Sequence, residues 1–150
     1  MLTDEVSYLA LARLFSGGEP WAPFVTTFPP LFALLLAATG GAHDLARAHA
    51  VVAACAILAL PLVHAYARLR LPGRIAPLVA TAAFLLTPAA WIAVKGILSE
   101  PAYLLASLAC IVFFEARSWP VASLRDRWVF AILVAAAVSL RSAGLMLVAA

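Results

Sequence analysis

Two adjacent carboxylates and a tyrosine three residues on, "DEVSY" at Asp4, Glu5 and Tyr8, open a chain that has only seven acidic residues in 150. Carboxylates can hold or move a proton, and cations can steady an anion. The cations that stand apart from loop clusters are few. Lys95 lies five residues before Glu100 in "KGILSEP", and Arg141 interrupts an apolar run in "SLRSAGLML". The sequence holds no glycine-rich phosphate loop, nucleophile elbow or zinc signature. His49 and His64 are fifteen residues apart and His43 lies in a loop, so a shared metal site among them is not expected. Cys55 and Cys110 each sit inside an apolar run and read as small buried hydrophobes.

The elements that must carry these side chains are helices. Thr3 is a suitable N-cap, Asp4 and Glu5 suit the positive end of a helix dipole, and Gly17 and Gly18 supply a stop, which predicts a helix over 4–16. On it Asp4, Ser7 and Tyr8 share one polar face, while Val6, Leu9, Ala10 and Leu14 tend to another, as in an amphipathic helix at a membrane surface. Glu5 points about 100° away from Asp4, so the two do not address one atom. The run 29–39, "PPLFALLLAAT", is a second short helix, too short to span and suited to the interface.

Composition makes the membrane the natural solvent. The chain is 66% hydrophobic and 11% charged, with a mean hydropathy of +1.06. Soluble domains carry about 25% charged residues, and a fold of this size in water would expose large apolar patches. Four apolar runs approach or exceed the roughly 20 residues a spanning helix needs: 48–67, 75–94, 97–114 and 128–150. Pro61, Pro77 and Pro88 within them are tolerated kinks. The expectation is an all-α, polytopic membrane protein, with an extracytoplasmic interfacial segment over 1–47 and a transmembrane region over 48–150.

Basic residues orient it. Arg68, Arg70 and Arg74 fall between the first and second runs, and Arg117, Arg125 and Arg127 between the third and fourth. Only Arg13, Arg47 and Lys95 lie on the alternate side. The positive-inside rule therefore puts the two Arg-rich loops in the cytoplasm, and residues 1–47 with the 95–100 turn outside. A net charge of +3 spread this way is a topology signal rather than a nucleic-acid footprint. A chain that begins outside and stops within an apolar run reads as truncated at both ends, with an upstream span expected.

The order of features resembles the extracytoplasmic face of the GT-C glycosyltransferases, the membrane enzymes that use polyprenyl-phosphate sugars and include protein O-mannosyltransferases and aminoarabinose transferases. The resemblance runs from "TDEVSYLALARLFSGG" through "FPPLFALLLAATGG", "DLARAHAVVAA" and "LSEPAYLLASLA" to "SLRSAGLML", most of the chain. It implies transfer of a sugar from a polyprenyl-phosphate donor to an external hydroxyl on a lipid, glycan or protein acceptor, with inversion. It also implies residence in a bacterial inner (plasma) membrane, with the reacting face toward the periplasm or exterior.

On that resemblance Asp4 is the catalytic base. Glu5 supports it, coordinates a divalent metal or faces water, so the cofactor is left open. Tyr8 contacts sugar or anchors the helix in the interface. Glu100 bonds donor or acceptor or serves as a helix-start acid; Lys95 pairs with Glu100 or meets the donor phosphate. Arg141 binds the lipid phosphate or snorkels. The competing readings are a piece of a polytopic transporter and a non-catalytic membrane scaffold.

Overall fold

The computed structural model describes residues 3–18, 28–117 and 122–141, and every regular element among them is a helix. In order these are α1 (Thr3–Phe15), α2 (Pro30–Ala38), α3 (Leu45–Arg70), α4 (Ile75–Leu85), α5 (Pro88–Lys95), α6 (Glu100–Glu115) and α7 (Leu124–Leu140).

Local chemistry sets most boundaries. α1 ends in a Schellman motif, with Gly17 at φ +80°, the Gly18 N–H on the Arg13 carbonyl at 2.9 Å and the Gly17 N–H on that of Leu14 at 3.1 Å. Gly17, not Gly18, takes the left-handed conformation. Space around its Cβ position is open, so Gly17→Ala tests backbone strain alone. We expect it to cost about 1 kcal/mol, read from thermal unfolding. α2 begins with Pro30 at its first position and closes with the same motif at Gly40, φ +76°.

α3 is capped by Asp44, whose carboxylate accepts from the Ala46 and Arg47 amides. α7 starts at Leu124, four residues ahead of the predicted run, because Ser123 and Asp126 form a reciprocal capping box. The Thr3 side chain and residues 142–150, including Ser142 and Gly144, lie outside the described residues.

Among the described residues α3 is the one unbroken helix long and apolar enough to cross a membrane, and α4 with α5 passes the same test if the bent pair is taken as one span. The 26 residues of α3 extend about 39 Å against a hydrocarbon layer of about 30 Å. Only 22% of its most apolar stretch is buried within the protein, whereas the core helix of a soluble fold is mostly covered. Ile57, Ile75, Trp91 and Ile132, on four different helices, are likewise exposed.

The single helix expected over 75–94 is instead two, α4 and α5, bent by 50° at their junction. Pro88 lacks the amide that would continue the ladder and disfavours helical backbone at Thr87, which is extended at ψ 132°. The Thr87 hydroxyl and the Trp91 indole instead donate to the Phe84 and Leu85 carbonyls. The run expected from 97 becomes helical only at Glu100, because 96–99 forms a turn bonded to α1.

The core gathers where α1 and α2 pack over one end of the longer helices. Phe32, Ala33 and Leu36 of α2, Ala48 and Val52 of α3, Ile97, Ala102 of α6 and Leu140 of α7 form one buried cluster with Tyr8–Ala12 of α1. Tyr8 through Ala12 are all buried, so α1 is surrounded over this stretch rather than amphipathic as expected. Tyr8 turns inward, and Leu14 is exposed. At the opposite end, Arg70 pairs with Glu115 and Arg117 with Asp126 at 2.8 Å, tying the ends of α3, α6 and α7 together.

Candidate functional site

Asp4, Tyr8, Glu100 and Arg141, separated by up to 137 positions in sequence, line one cavity of about 210 Å³. Phe28, Pro29 and Ser99 also line it. α1 supplies Asp4 and Tyr8 one turn apart, the start of α6 supplies Ser99 and Glu100, and the end of α7 supplies Arg141.

Arg141 reaches the cavity because α7 stops at Leu140 and the next residue is extended, at φ −158° and ψ 137°. A guanidinium among apolar side chains is costly unless it is paired. Arg141 NH1 donates to Glu100 Oε1 at 2.8 Å, an ion pair whose side chains are 43% and 40% exposed. Both partners remain open to a ligand. A pair so exposed contributes at most about 1 kcal/mol to stability.

Tyr8 forms the cavity's inner wall. Its hydroxyl shares a 2.9 Å hydrogen bond with Ser99 Oγ, and its ring meets Phe28 and Phe32 edge-on at 5.1 and 5.0 Å. Burial is the main cause that holds its phenol above the usual tyrosine value; nearby Glu100 and Asp4 push the same way, against the Ser99 bond and Arg141. A raised folded value favours the protonated state, so the stabilisation is complete below about pH 10 and fades as pH rises through the folded value. Tyr8→Phe is expected to lose about 1 kcal/mol at neutral pH and to flatten the alkaline limb of a stability–pH curve. Denaturation from pH 7 to 11 measures both.

Two of the sequence-predicted residues stand elsewhere. Glu5 is buried and turned from the cavity, its Oε1 accepting the Ile97 amide at 3.0 Å. Lys95 is exposed at the end of α5 and lines no part of the cavity. The carboxylate suggested for it pairs with Arg141. Ser99, Phe28 and Pro29 were not singled out from sequence, although Ser99 lies in the quoted "SEP" and Pro29 in "PPL".

Among the described residues no three His, Cys, Asp or Glu side chains gather as a metal site. Among the described residues the cavity offers two carboxylates, Asp4 and Glu100, and Arg141 engages Glu100. The cation on hand for an anionic ligand is Arg141. His64, given no chemistry from sequence, joins α3 to α4 through Thr81 at 3.3 Å.

A larger apolar cleft of about 520 Å³ adjoins this cavity. Leu60 and Ile57 of α3, Trp91 and Val94 of α5, and Leu104 of α6 line it, and Glu100 belongs to both walls. Among the described residues, a polar chamber with one cation thus opens beside a cleft with almost wholly apolar walls, the two-part shape of a site for an anionic amphiphile. The bend at Thr87–Pro88 gives the cleft one side, because it swings α5 away from the line of α4.

Comparison with known protein families, curated proteins and solved structures finds no match to this chain.

Proposed function

We propose that this chain belongs to a polytopic membrane glycosyltransferase of the GT-C kind, which moves a sugar from a polyprenyl-phosphate donor to an acceptor hydroxyl. The observation that carries the reading is the convergence of Asp4, Tyr8, Glu100 and Arg141 on one polar cavity that shares Glu100 with an apolar cleft. Four residues chosen for their types in sequence meet, and the space beside them suits a hydrocarbon tail.

In this reading α3, the bent α4–α5 pair, α6 and α7 are four membrane crossings. The cavity faces the exterior or periplasm, and the Arg70–Arg117 end faces the cytoplasm of a bacterial inner membrane. The donor's isoprenoid chain lies in the cleft and its phosphate meets Arg141. Asp4 takes the proton from the acceptor hydroxyl as that oxygen bonds to the anomeric carbon. The bond from that carbon to the phosphate oxygen breaks on the opposite face, and the lipid phosphate leaves with the electron pair. The anomeric configuration inverts. An anionic phosphate leaves without a general acid; it needs positive charge nearby, which Arg141 supplies. Tyr8 and Ser99 offer a hydroxyl pair to sugar oxygens.

The bent α4–α5 pair also favours a second reading, a transporter piece, since broken helices line many substrate paths. One experiment separates the two. Membranes containing the full-length protein are given a panel of radiolabelled polyprenyl-phosphate sugars, and covalent transfer of label to endogenous acceptors is measured. Transfer from at least one donor, competed by the unlabelled polyprenyl phosphate, supports the enzyme. Label that moves across vesicles without covalent transfer overturns it in favour of transport.

A further inference from the structure

The two carboxylates of the opening pair point to different jobs: Asp4 lines the cavity, and Glu5 is bonded to the main chain at Ile97. Glu5 Oε1 accepts the main-chain amide of Ile97 at 3.0 Å, across 92 residues, with the glutamate only 9% exposed. Gly96 makes room for it. A Cβ built at Gly96 would lie 2.7 Å from the same oxygen, closer than Cβ atoms approach any neighbour. One turn further along α1, the Tyr8 hydroxyl bonds Ser99 Oγ at 2.9 Å. The 96–99 turn is therefore held against α1 at two points, and Glu100 follows directly from it.

We propose that Glu5 is a positioning residue which, through the space left by Gly96, clamps the 96–99 turn so that Glu100 and Arg141 stand across the cavity from Asp4. The inference rests on the glycosyltransferase reading only for its effect on rate; the clamp itself is a matter of geometry. Asp4 touches the cavity and Glu5 does not. Glu5 thus reaches the turn through a backbone amide, and for that bond it must supply an acceptor oxygen rather than a negative charge. Glutamine keeps that oxygen. Alanine removes it, and Gly96→Ala displaces it without changing the identity of Glu5, because the added Cβ would lie 2.7 Å from that oxygen, with Leu98 side-chain atoms next at 3.2 and 3.3 Å.

The test compares wild type, Glu5→Gln, Glu5→Ala and Gly96→Ala in the full-length protein reconstituted in nanodiscs. Two readouts are taken: hydrogen exchange at the Ile97 amide and label transfer from the polyprenyl-phosphate sugar panel, with its pH profile. The Ile97 amide is expected to stay protected in wild type and Glu5→Gln, and to exchange at least roughly tenfold faster in the other two. Transfer is expected to stay within about threefold in Glu5→Gln. It should fall by up to about 100-fold in Glu5→Ala and Gly96→Ala, mainly in kcat and with an unshifted pH profile, as for a misplaced site.

If Glu5→Gln is as inactive as Glu5→Ala while Ile97 remains protected, Glu5 acts by its charge and the proposal is overturned. Full transfer in Glu5→Ala, with Ile97 exchanging fast, overturns it equally, since the turn would not then position the site. If wild type transfers from no donor, the glycosyltransferase reading fails. The exchange comparison then decides the clamp by itself, and equal protection in all four proteins rejects it.

Discussion

Asp4→Asn should lower sugar transfer by about 10²–10⁴-fold at equal protein level, the range that a positioned general base contributes. Asparagine occupies the same volume and keeps a polar end on the cavity wall, but it cannot accept the acceptor's proton. The change should scarcely touch folding. Asp4 is exposed in the first turn of α1, where the dipole rewards its charge by about 0.3–1 kcal/mol at most, and the α1 core lies four residues on, at Tyr8–Ala12. Loss of transfer with an unfolding temperature close to wild type is therefore the expected pair of results. Asp4→Glu should recover part of the rate, since a carboxylate remains but its oxygens are displaced by one methylene. If Asp4→Asn transfers as wild type does, the opening carboxylate serves the helix dipole alone, and the base is to be sought first in Glu100, the other carboxylate among the described residues of the cavity wall.

Much of this arrangement is legible in the sequence, for reasons that differ from residue to residue. The two short helices announce themselves through local chemistry: Gly17 and Gly40 supply positive φ, and Pro30 starts α2. Arg141 is legible because a charge among apolar residues must break the helix or find a partner, and it does both. The break between α4 and α5 is harder to read. Hydropathy averaged over 75–94 sees one apolar run, and only Pro88 betrays that the backbone cannot continue straight. Tyr8 misleads in another way. A helical wheel places it with Asp4 and Ser7, but which face of α1 is buried depends on Phe28, Phe32 and Ser99, none of them near it in sequence. Glu5 is the extreme case. It bonds a backbone amide, which carries no residue signature, so no pattern of side chains could announce the bond to Ile97.

Arg141 carries the second large effect. If its guanidinium meets the charge that develops on the departing phosphate, Arg141→Ala should lower transfer by about 10²–10³-fold, as when other preorganised donors to a developing anion are removed. Stability should change by less than about 1 kcal/mol, because the pair with Glu100 is 43% and 40% exposed and water can replace either partner. This separation of rate from stability is what distinguishes phosphate binding from snorkelling. An interfacial anchor tolerates lysine, which reaches as far and keeps the charge. A donor to phosphate oxygens does not tolerate it fully, since lysine replaces a planar fork with a point charge. Arg141→Lys should accordingly retain only part of the transfer rate, with the donor KM raised. The measurement is initial-rate transfer against donor concentration for wild type, Arg141→Lys and Arg141→Ala, beside thermal unfolding of the same preparations. Equal rates in wild type and lysine variant, or a loss of stability that parallels the loss of rate, would reduce Arg141 to an anchor. The phosphate would then need another cation. Lys95, the lone lysine, stands exposed off the cavity wall, so α5 would have to move before it could take that place.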